Sequence, residues 1–392
     1  MDFSILWYIP VFLVSLSFVA VVIPAIVRTA SRINLYDSQD ERKVHHGDIP
    51  RLGGISFLPA ILFTLLTVIA VMTRFLPSEF QVTYRPITEL MMTAAGCVLL
   101  YLTGIMDDVI GVTYRSKFVI QVIAASLICS TGLFITDLNG IFGIHRIPVF
   151  IGVPLTITVI VLVINSINLI DGIDGLASGL CILGGVGYAL MFNRLAMSMN
   201  LVLAASMLGV MVMFYIYNTL GKPGISKIFM GDTGSLTMGY ILAFFAVKLC
   251  CFNDFRPTET IVSEELFVYS ISVILVPVLD VFRVFFARIM DGKSPFHADK
   301  RHIHHKFLAL GFTMRQARWT IFGISLTFWI MNVIMSLMLH WNINVVIAID
   351  ILLWVVMNVA LSSRVRDLRE ENDAVAGAYS DVGRKKKWNF RK

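Results

Sequence analysis

The sequence predicts an all-α polytopic membrane protein of about eleven transmembrane helices, on three observations. Of its 392 residues, 57% are hydrophobic and only 15% charged, and this excludes a string of ordinary soluble domains. Windows of about 20 residues with few charges, long enough to cross a hydrocarbon core, recur from end to end. The basic residues gather in alternate connecting segments, the asymmetry that orients helices in a bilayer.

The windows fall at residues 5–27, 53–73, 89–106, 118–135, 150–170, 176–192, 197–217, 235–251, 264–286, 317–339 and 343–362. The opening MDFSILWYIP has no basic n-region, so the first window is expected to remain as a span. Eleven spans give one side 26 of the 32 Lys and Arg, in residues 28–52, 107–117, 218–231, 283–318 and beyond 363. The positive-inside rule makes that side cytoplasmic, with the N-terminus outside and the C-terminus cytoplasmic. A transmembrane domain over 1–362 and a basic cytoplasmic tail over 363–392 follow. The tail ends in RKKKWNFRK, suited to an anionic membrane surface, and no fold pattern supports nucleic-acid binding. All five cysteines lie in apolar runs, as small buried hydrophobes.

Polar stretches interrupt this pattern at the cytoplasmic ends of spans. NSINLIDGIDG (165–175) closes an apolar run and sets Asn165, Asn168, Asp171 and Asp174 at every third position, with Gly172 and Gly175 able to turn. A carboxylate at the centre of a membrane helix costs roughly 2.5–3.5 kcal/mol, so these acids either cap a helix end or line a polar cavity. GIMDDVIGVTYRSK places Asp107 beside Asp108, with Arg115 and Lys117 close behind. Adjacent carboxylates repel, and magnesium relieves that by taking one or two carboxylates plus substrate phosphate oxygens. The alternative is two solvated acids beside compensating bases. IFMGDTGS brackets Asp232 with glycines before the eighth span; small residues let backbone N–H groups approach an anion at the helix N-terminus, and Asp232 can also N-cap that helix, two compatible roles.

Two basic loops complete the set. SRINLYDSQDERKVHHGDIPRLGG offers Lys43, His45 and Arg51 to an anionic ligand. The ninth span carries Pro277 and Asp280 and leads to HADKRHIHHKF, where His297, His302, His304 and His305 stand among Lys300, Arg301 and Lys306. Without paired cysteines or HExxH, that cluster suits a polyanion such as a diphosphate better than zinc. TDLNGIFGIHRIPV (136–149) reads as an outer connection of turn residues with no chemistry. If spans three, five, eight and nine pack together, acids around a magnesium ion, ringed by cations and glycine turns, make a diphosphate site at the membrane edge.

The motifs RKVHHGDIPRLGG, GIMDDVIGV, NSINLIDGIDGLASG, IFMGDTGSL and HADKRHIHHKF, in that order over about residues 1–340, resemble the polyprenyl-phosphate N-acetylhexosamine-1-phosphate transferases. The PRLGG at 50–54 and HIHH at 302–305 are similar to the WecA/TagO branch of the MraY-like superfamily. MraY enzymes show PTMGG and consecutive histidines instead. The resemblance implies transfer of N-acetylhexosamine 1-phosphate, GlcNAc 1-phosphate first, from a UDP-sugar to undecaprenyl phosphate. UMP is released, and the polyprenyl-diphosphate sugar that forms would initiate a cell-envelope glycan such as a cell-wall polymer or lipopolysaccharide. It implies Mg2+, with Mn2+ as a substitute, and an active site on the cytoplasmic face of the bacterial inner membrane.

Residue by residue, the resemblance puts Asp107, Asp108 and Asp232 in the metal site. It gives Asp171 and Asp174, with Asn168, to nucleotide binding or catalysis, and places Asn218 and Phe229 near the uracil. His302, His304, His305 and Arg301 would contact the diphosphate or sugar, with Lys43 and Lys117 as further phosphate ligands. The catalytic set is Asp107, Asp108, Asp171, Asp174 and His302. Partners implied are a UDP-N-acetylhexosamine, undecaprenyl phosphate, membrane lipids and a second copy of the chain.

Three other readings compete. An MraY-type phospho-MurNAc-pentapeptide transferase would share these acids. An ion-coupled secondary transporter keeps its acids near the midplane, often in repeated halves; here they cluster at helix ends, with no repeat. A histidine-metal hydrolase lacks its metal signature. A phosphate monoester, with a second pKa of about 6, is mostly dianionic at neutral pH, so the acceptor can attack directly in line. A covalent aspartyl-phosphate route through Asp107 or Asp108 is the other course.

Overall fold

The computed structural model describes residues 8–32, 49–75, 84–252, 263–292 and 301–389, which form thirteen α-helices and one two-stranded hairpin. Lys43, His45, His297 and Lys300 lie outside the described residues. In chain order the helices are α1 (Ile9–Arg32), α2 (Phe57–Phe75), α3 (Tyr84–Ile110), α4 (Tyr114–Ser130), α5 (Val149–Ile170), α6 (Leu176–Arg194) and α7 (Ser198–Leu220). They continue as α8 (Gly231–Cys250), α9 (Ser263–Ser272), α10 (Leu275–Met290), α11 (Ile303–Ala309), α12 (Met314–Val333) and α13 (Ile343–Asn389).

The chain is an all-α polytopic membrane protein. Among the described residues nine helices are long and apolar enough to cross a bilayer, and α9 with α10 form a tenth, broken unit. The window at 118–135 corresponds to α4, which has 17 residues. The window at 264–286 is not one rod: α9 and α10 meet at 71°. Pro277 falls in the first turn of α10, where its missing N–H leaves no helical bond unmade.

Two connections also differ from the sequence reading. Residues 136–149 hold an antiparallel hairpin, β1 (Asp137–Ile141) with β2 (Ile144–Arg146). Periodicity cannot reveal strands of five and three residues closed by glycines. At the other end α13 runs unbroken through most of the basic tail, to Asn389. Its small-residue stretch AVAGAY is alanine-rich, and alanine has the strongest intrinsic preference for helix.

The centre of the bundle is α8, buried on all sides. With lipid as solvent, close helix contact rests on small residues rather than on hydrophobic drive. A Cβ on Gly239 of α8 would lie 2.8 Å from the Cα of Ile164 on α5. One on Gly104 of α3 would lie 2.3 Å from the Cα of Thr233 on α8. These contacts bring the ends of α3 and α5 directly against the start of α8, where the polar motifs lie.

Candidate active site

The site begins with a backbone stitch between two loops. Phe229 N–H donates to Pro50 O (2.9 Å), Gly53 N–H to Phe229 O (2.9 Å) and Gly54 N–H to Met230 O (2.9 Å). Gly54 is required there, because a Cβ would sit 2.1 Å from Gly234 N. The stitch carries Arg51 to Asp232, with Nη2 4.0 Å from Oδ1. Distant motifs of the chain are thereby held as one surface.

Asp107 and Asp108, neighbours in sequence, do different things. Both oxygens of Asp108 are taken by the start of α8: Oδ1 accepts from Asp232 N–H (2.8 Å), and Oδ2 from Thr233 N–H (3.0 Å) and Thr233 Oγ1 (2.7 Å). This is the favourable placement of an anion at a helix N-terminus. Gly231, at φ +71°, makes room, since a Cβ would meet Asp108 Oδ2 at 2.5 Å. Asp107 turns the other way. Its Oδ1 accepts from Val112 N–H (2.7 Å), while Lys117 Nζ lies 3.2 Å from its Oδ2 and 2.8 Å from Asp232 Oδ2.

The residues therefore fit a divalent cation through Asp107 and Asp232, whose carboxylates already converge on one cation, the Lys117 ammonium. Among the described residues no cluster of three His, Cys, Asp or Glu side chains is arranged to ligate a metal. Two carboxylates are nevertheless what magnesium uses when phosphate oxygens complete its shell. Asp108 supports this pair from beneath, by fixing the α8 backbone.

The stretch 165–175 wraps the other side. Asn165 pairs with Gln121 of α4 (Nδ2 to Oε1, 2.8 Å), and Asn168 Nδ2 donates to Ser235 Oγ (2.8 Å). Asp174 is held by Lys227 Nζ at 2.6 Å, and its carbonyl accepts from Arg318 Nη1 (2.9 Å). Asn218 is buried, with Oδ1 accepting from Gly175 N–H (2.6 Å) and Nδ2 donating to Ile228 O (2.9 Å). Its amide thus clamps two loops, and both its polar atoms are engaged there rather than facing an open site. Gly175, at φ +76°, needs its freedom of turn.

Asp171 has no such hydrogen bond among the described residues. Desolvation pushes its carboxyl up to about 7, opposed by Arg51 and reinforced by Asp232, Asp174 and Asp108. The folded pKa lies above the unfolded value of about 3.9, so holding this charge costs the fold stability progressively between about pH 4 and pH 7. Asp171→Asn is therefore expected to unfold at a higher temperature than wild type at pH 8 without divalent cations. The gap should close below pH 4, as followed by thermal denaturation.

The histidine loop lies over this turn. A Cβ on Gly172 would fall 2.2 Å from His304 Nε2, so the ring rests directly on the backbone beside Asp171. His304 is buried, and desolvation with neighbouring His305 and His302 pushes its imidazole down to about 3, leaving it neutral at physiological pH. His302 and His304 stack in parallel, centroids 6.0 Å apart, and His305 is 4.2 Å from His304. Arg301 is drawn aside to Asp291 (2.6 Å), and Lys306 turns to Asn358 and Ser362 of α13. Gly172→Ala should lift the loop: turnover is expected to fall at least about 10-fold with little change in unfolding temperature, a loss of the size a 1 Å misplacement brings.

The structure thus gathers Asp107, Asp108, Lys117, Asn168, Asp171, Asp174, Phe229, Asp232, His302, His304 and His305 at one end of the bundle. From sequence, Lys227, Arg318, Asp280 and Arg283 are given no role. Lys227 had one available signal, a cation five residues before Asp232. Asp280 had another, since an acid inside a span is a functional candidate by default.

A polytopic helical protein with carboxylates and histidines converging on one membrane face is the class these features define. Residues 90–250 match glycosyl transferase family 4. A probable undecaprenyl-phosphate N-acetylglucosaminyl 1-phosphate transferase of Bacillus subtilis (strain 168) is 33% identical over 338 residues, spanning 84% of this chain and 85% of that protein. Undecaprenyl-phosphate alpha-N-acetylglucosaminyl 1-phosphate transferases of Yersinia pestis (29% identity; 78% of this chain, 77% of that protein) and Escherichia coli K12 (30%; 74% and 73%) are similar too. The chain belongs to this family of polyprenyl-phosphate sugar-1-phosphate transferases.

Proposed function

We propose that the protein transfers GlcNAc 1-phosphate from UDP-GlcNAc to undecaprenyl phosphate, at the cytoplasmic face of the bacterial inner membrane and with Mg2+. The observation that carries this reading is the convergence of Asp107 and Asp232 on a single cation, Lys117. It is supported by relatives whose names state the same acceptor and sugar. The site lies on the face to which the basic loops belong, and this supports a cytoplasmic orientation.

Asp107 and Asp232 would hold the metal, which supplies charge neutralisation for the diphosphate. Arg51, Lys117 and Lys227 offset part of the charge of the surrounding carboxylates, and the metal would offset more, so two anions can approach each other. Asp174, neutralised by Lys227, serves as a bracket for the turn. Asp171 has oxygens available and a carboxyl poised at about 7, suited to accepting a proton from the monoanionic fraction of the lipid phosphate. The dianion then attacks the sugar-linked phosphorus in line, forming the new P–O bond as the bond to UMP breaks.

The test uses purified protein, undecaprenyl phosphate and a panel of labelled UDP-N-acetylhexosamines, with Mg2+ or EDTA. Label from UDP-GlcNAc should enter the lipid extract with equimolar UMP, and EDTA should abolish it. Transfer only from UDP-MurNAc-pentapeptide would move the chain to the MraY-type reading.

A further inference from the structure

We propose that Asp280 is the positioning residue of the histidine loop: its buried carboxylate fixes the His302 ring so that Nε2 faces the site. What His302 then touches rests on the transferase reading, whereas the positioning rests on geometry alone. Asp280 is almost fully buried on α10 and lies at the meeting point of three donor groups. Its Oδ1 accepts from Arg283 Nη2 at 2.7 Å, and Ile303 N–H lies 3.1 and 3.2 Å from the two oxygens. Its Oδ2 stands 2.9 Å from His302 Nδ1.

An ionised carboxylate only accepts, so the proton of that contact belongs to Nδ1 and the tautomer is assigned by the partner. The opposite nitrogen, His302 Nε2, is buried and has no hydrogen-bond partner among the described residues. A buried nitrogen left in this way has its bonding capacity reserved for a ligand. The same Arg283 also donates to the carbonyl of Arg301, pinning the residue before His302. From His302 the contact runs through the parallel His304 ring to Gly172 and so to Asp171.

Asp280 thus links the bent helix to the acid turn through two imidazoles. The 71° break between α9 and α10 places that carboxylate, and with it the loop. In the transferase reading, the unprotonated Nε2 accepts a hydrogen bond from a hydroxyl or N–H of the donor sugar.

The full-length protein in nanodiscs, with Asp280→Asn, Asp280→Glu, His302→Gln and the Asp280→Asn/His302→Gln double variant, tests this. Three readouts apply: kcat and KM for UDP-GlcNAc, and 15N NMR of the His302 imidazole, assigned by its loss in His302→Gln. Asp280→Asn should lower kcat about 10- to 100-fold, the range seen when a group orienting a functional histidine is lost. KM should stay within about twofold, and the change should add nothing in the His302→Gln background, as for residues acting as a unit. The wild-type ring should carry its proton on Nδ1, move towards the Nε2–H form in Asp280→Asn, and return in Asp280→Glu.

An equal kcat loss with and without His302, or an unchanged tautomer in Asp280→Asn, would overturn the proposal. If Asp280→Asn does not fold, the wild-type tautomer decides: a His302 ring protonated on Nε2 and not on Nδ1 would overturn the proposal. Wild-type protein inert towards every UDP-N-acetylhexosamine would sink the transferase reading alone, with the NMR tautomer still deciding the positioning.

Discussion

Asp107→Asn is expected to lose transfer activity by roughly 10²–10³-fold, as when one preorganised charge-stabilising group is removed, while the protein inserts and unfolds as wild type does. Its stability should hold because Asn Oδ1 can still accept from Val112 N–H, and Lys117 keeps its contact with Asp232 at 2.8 Å. What disappears is the second negative oxygen facing a cation. Turnover titrated against Mg2+, alongside a thermal melt, separates the two effects. An Asp107→Asn enzyme with near wild-type turnover would remove the metal assignment.

The adjacent residue should behave differently. Asp108→Asn is expected to lose both activity and stability, the latter by roughly 2–4 kcal/mol. Three donors at the start of α8 converge on the Asp108 carboxylate, two of them on Oδ2. An Asn must turn its own N–H groups towards some of these donors, leaving them unmatched in a half-buried place. Because Asp232 is carried by the same turn, the helix start and the cation site shift together. Thermal denaturation of the pair of variants makes the comparison: a melt for Asp108→Asn equal to that of Asp107→Asn would contradict the assigned roles.

Much of this arrangement was legible in the chain. The acids, glycines and histidines could be read as one site because each motif ends or begins an apolar span, and alternation puts those ends on one side. The packing of α3 and α5 against α8 stood in the sequence only as a condition for the site, and the close approaches at Gly104 and Gly239 that bring it about are seen in the structure. What could not be read is which oxygen faces what. Asp107 and Asp108 are indistinguishable in sequence, and only the position of the α8 N-terminus separates the carboxylate that caps that helix from the one that faces Lys117.

The same limit applies elsewhere. The resemblance puts Asn218 near the uracil, and what sequence does not carry is that its amide joins Gly175 to Ile228. Lys227 answers Asp174 across 53 residues, a pairing no local pattern encodes. The break at α9–α10 falls inside a window that reads as one span, and its angle depends on how α10 packs against α5 and α12. Tertiary contact decides these points, and periodicity carries no record of it.

The account turns on Asp107 and Asp232 sharing one divalent ion, and Mn2+ binding followed by electron paramagnetic resonance on the purified protein with UMP addresses that most directly. Wild type should bind a single ion that becomes at least about 100-fold weaker in Asp107→Asn and in Asp232→Asn, since losing even a group that supports a metal ligand costs about 10- to 100-fold. Wild-type Mn2+ affinity in both variants would contradict it.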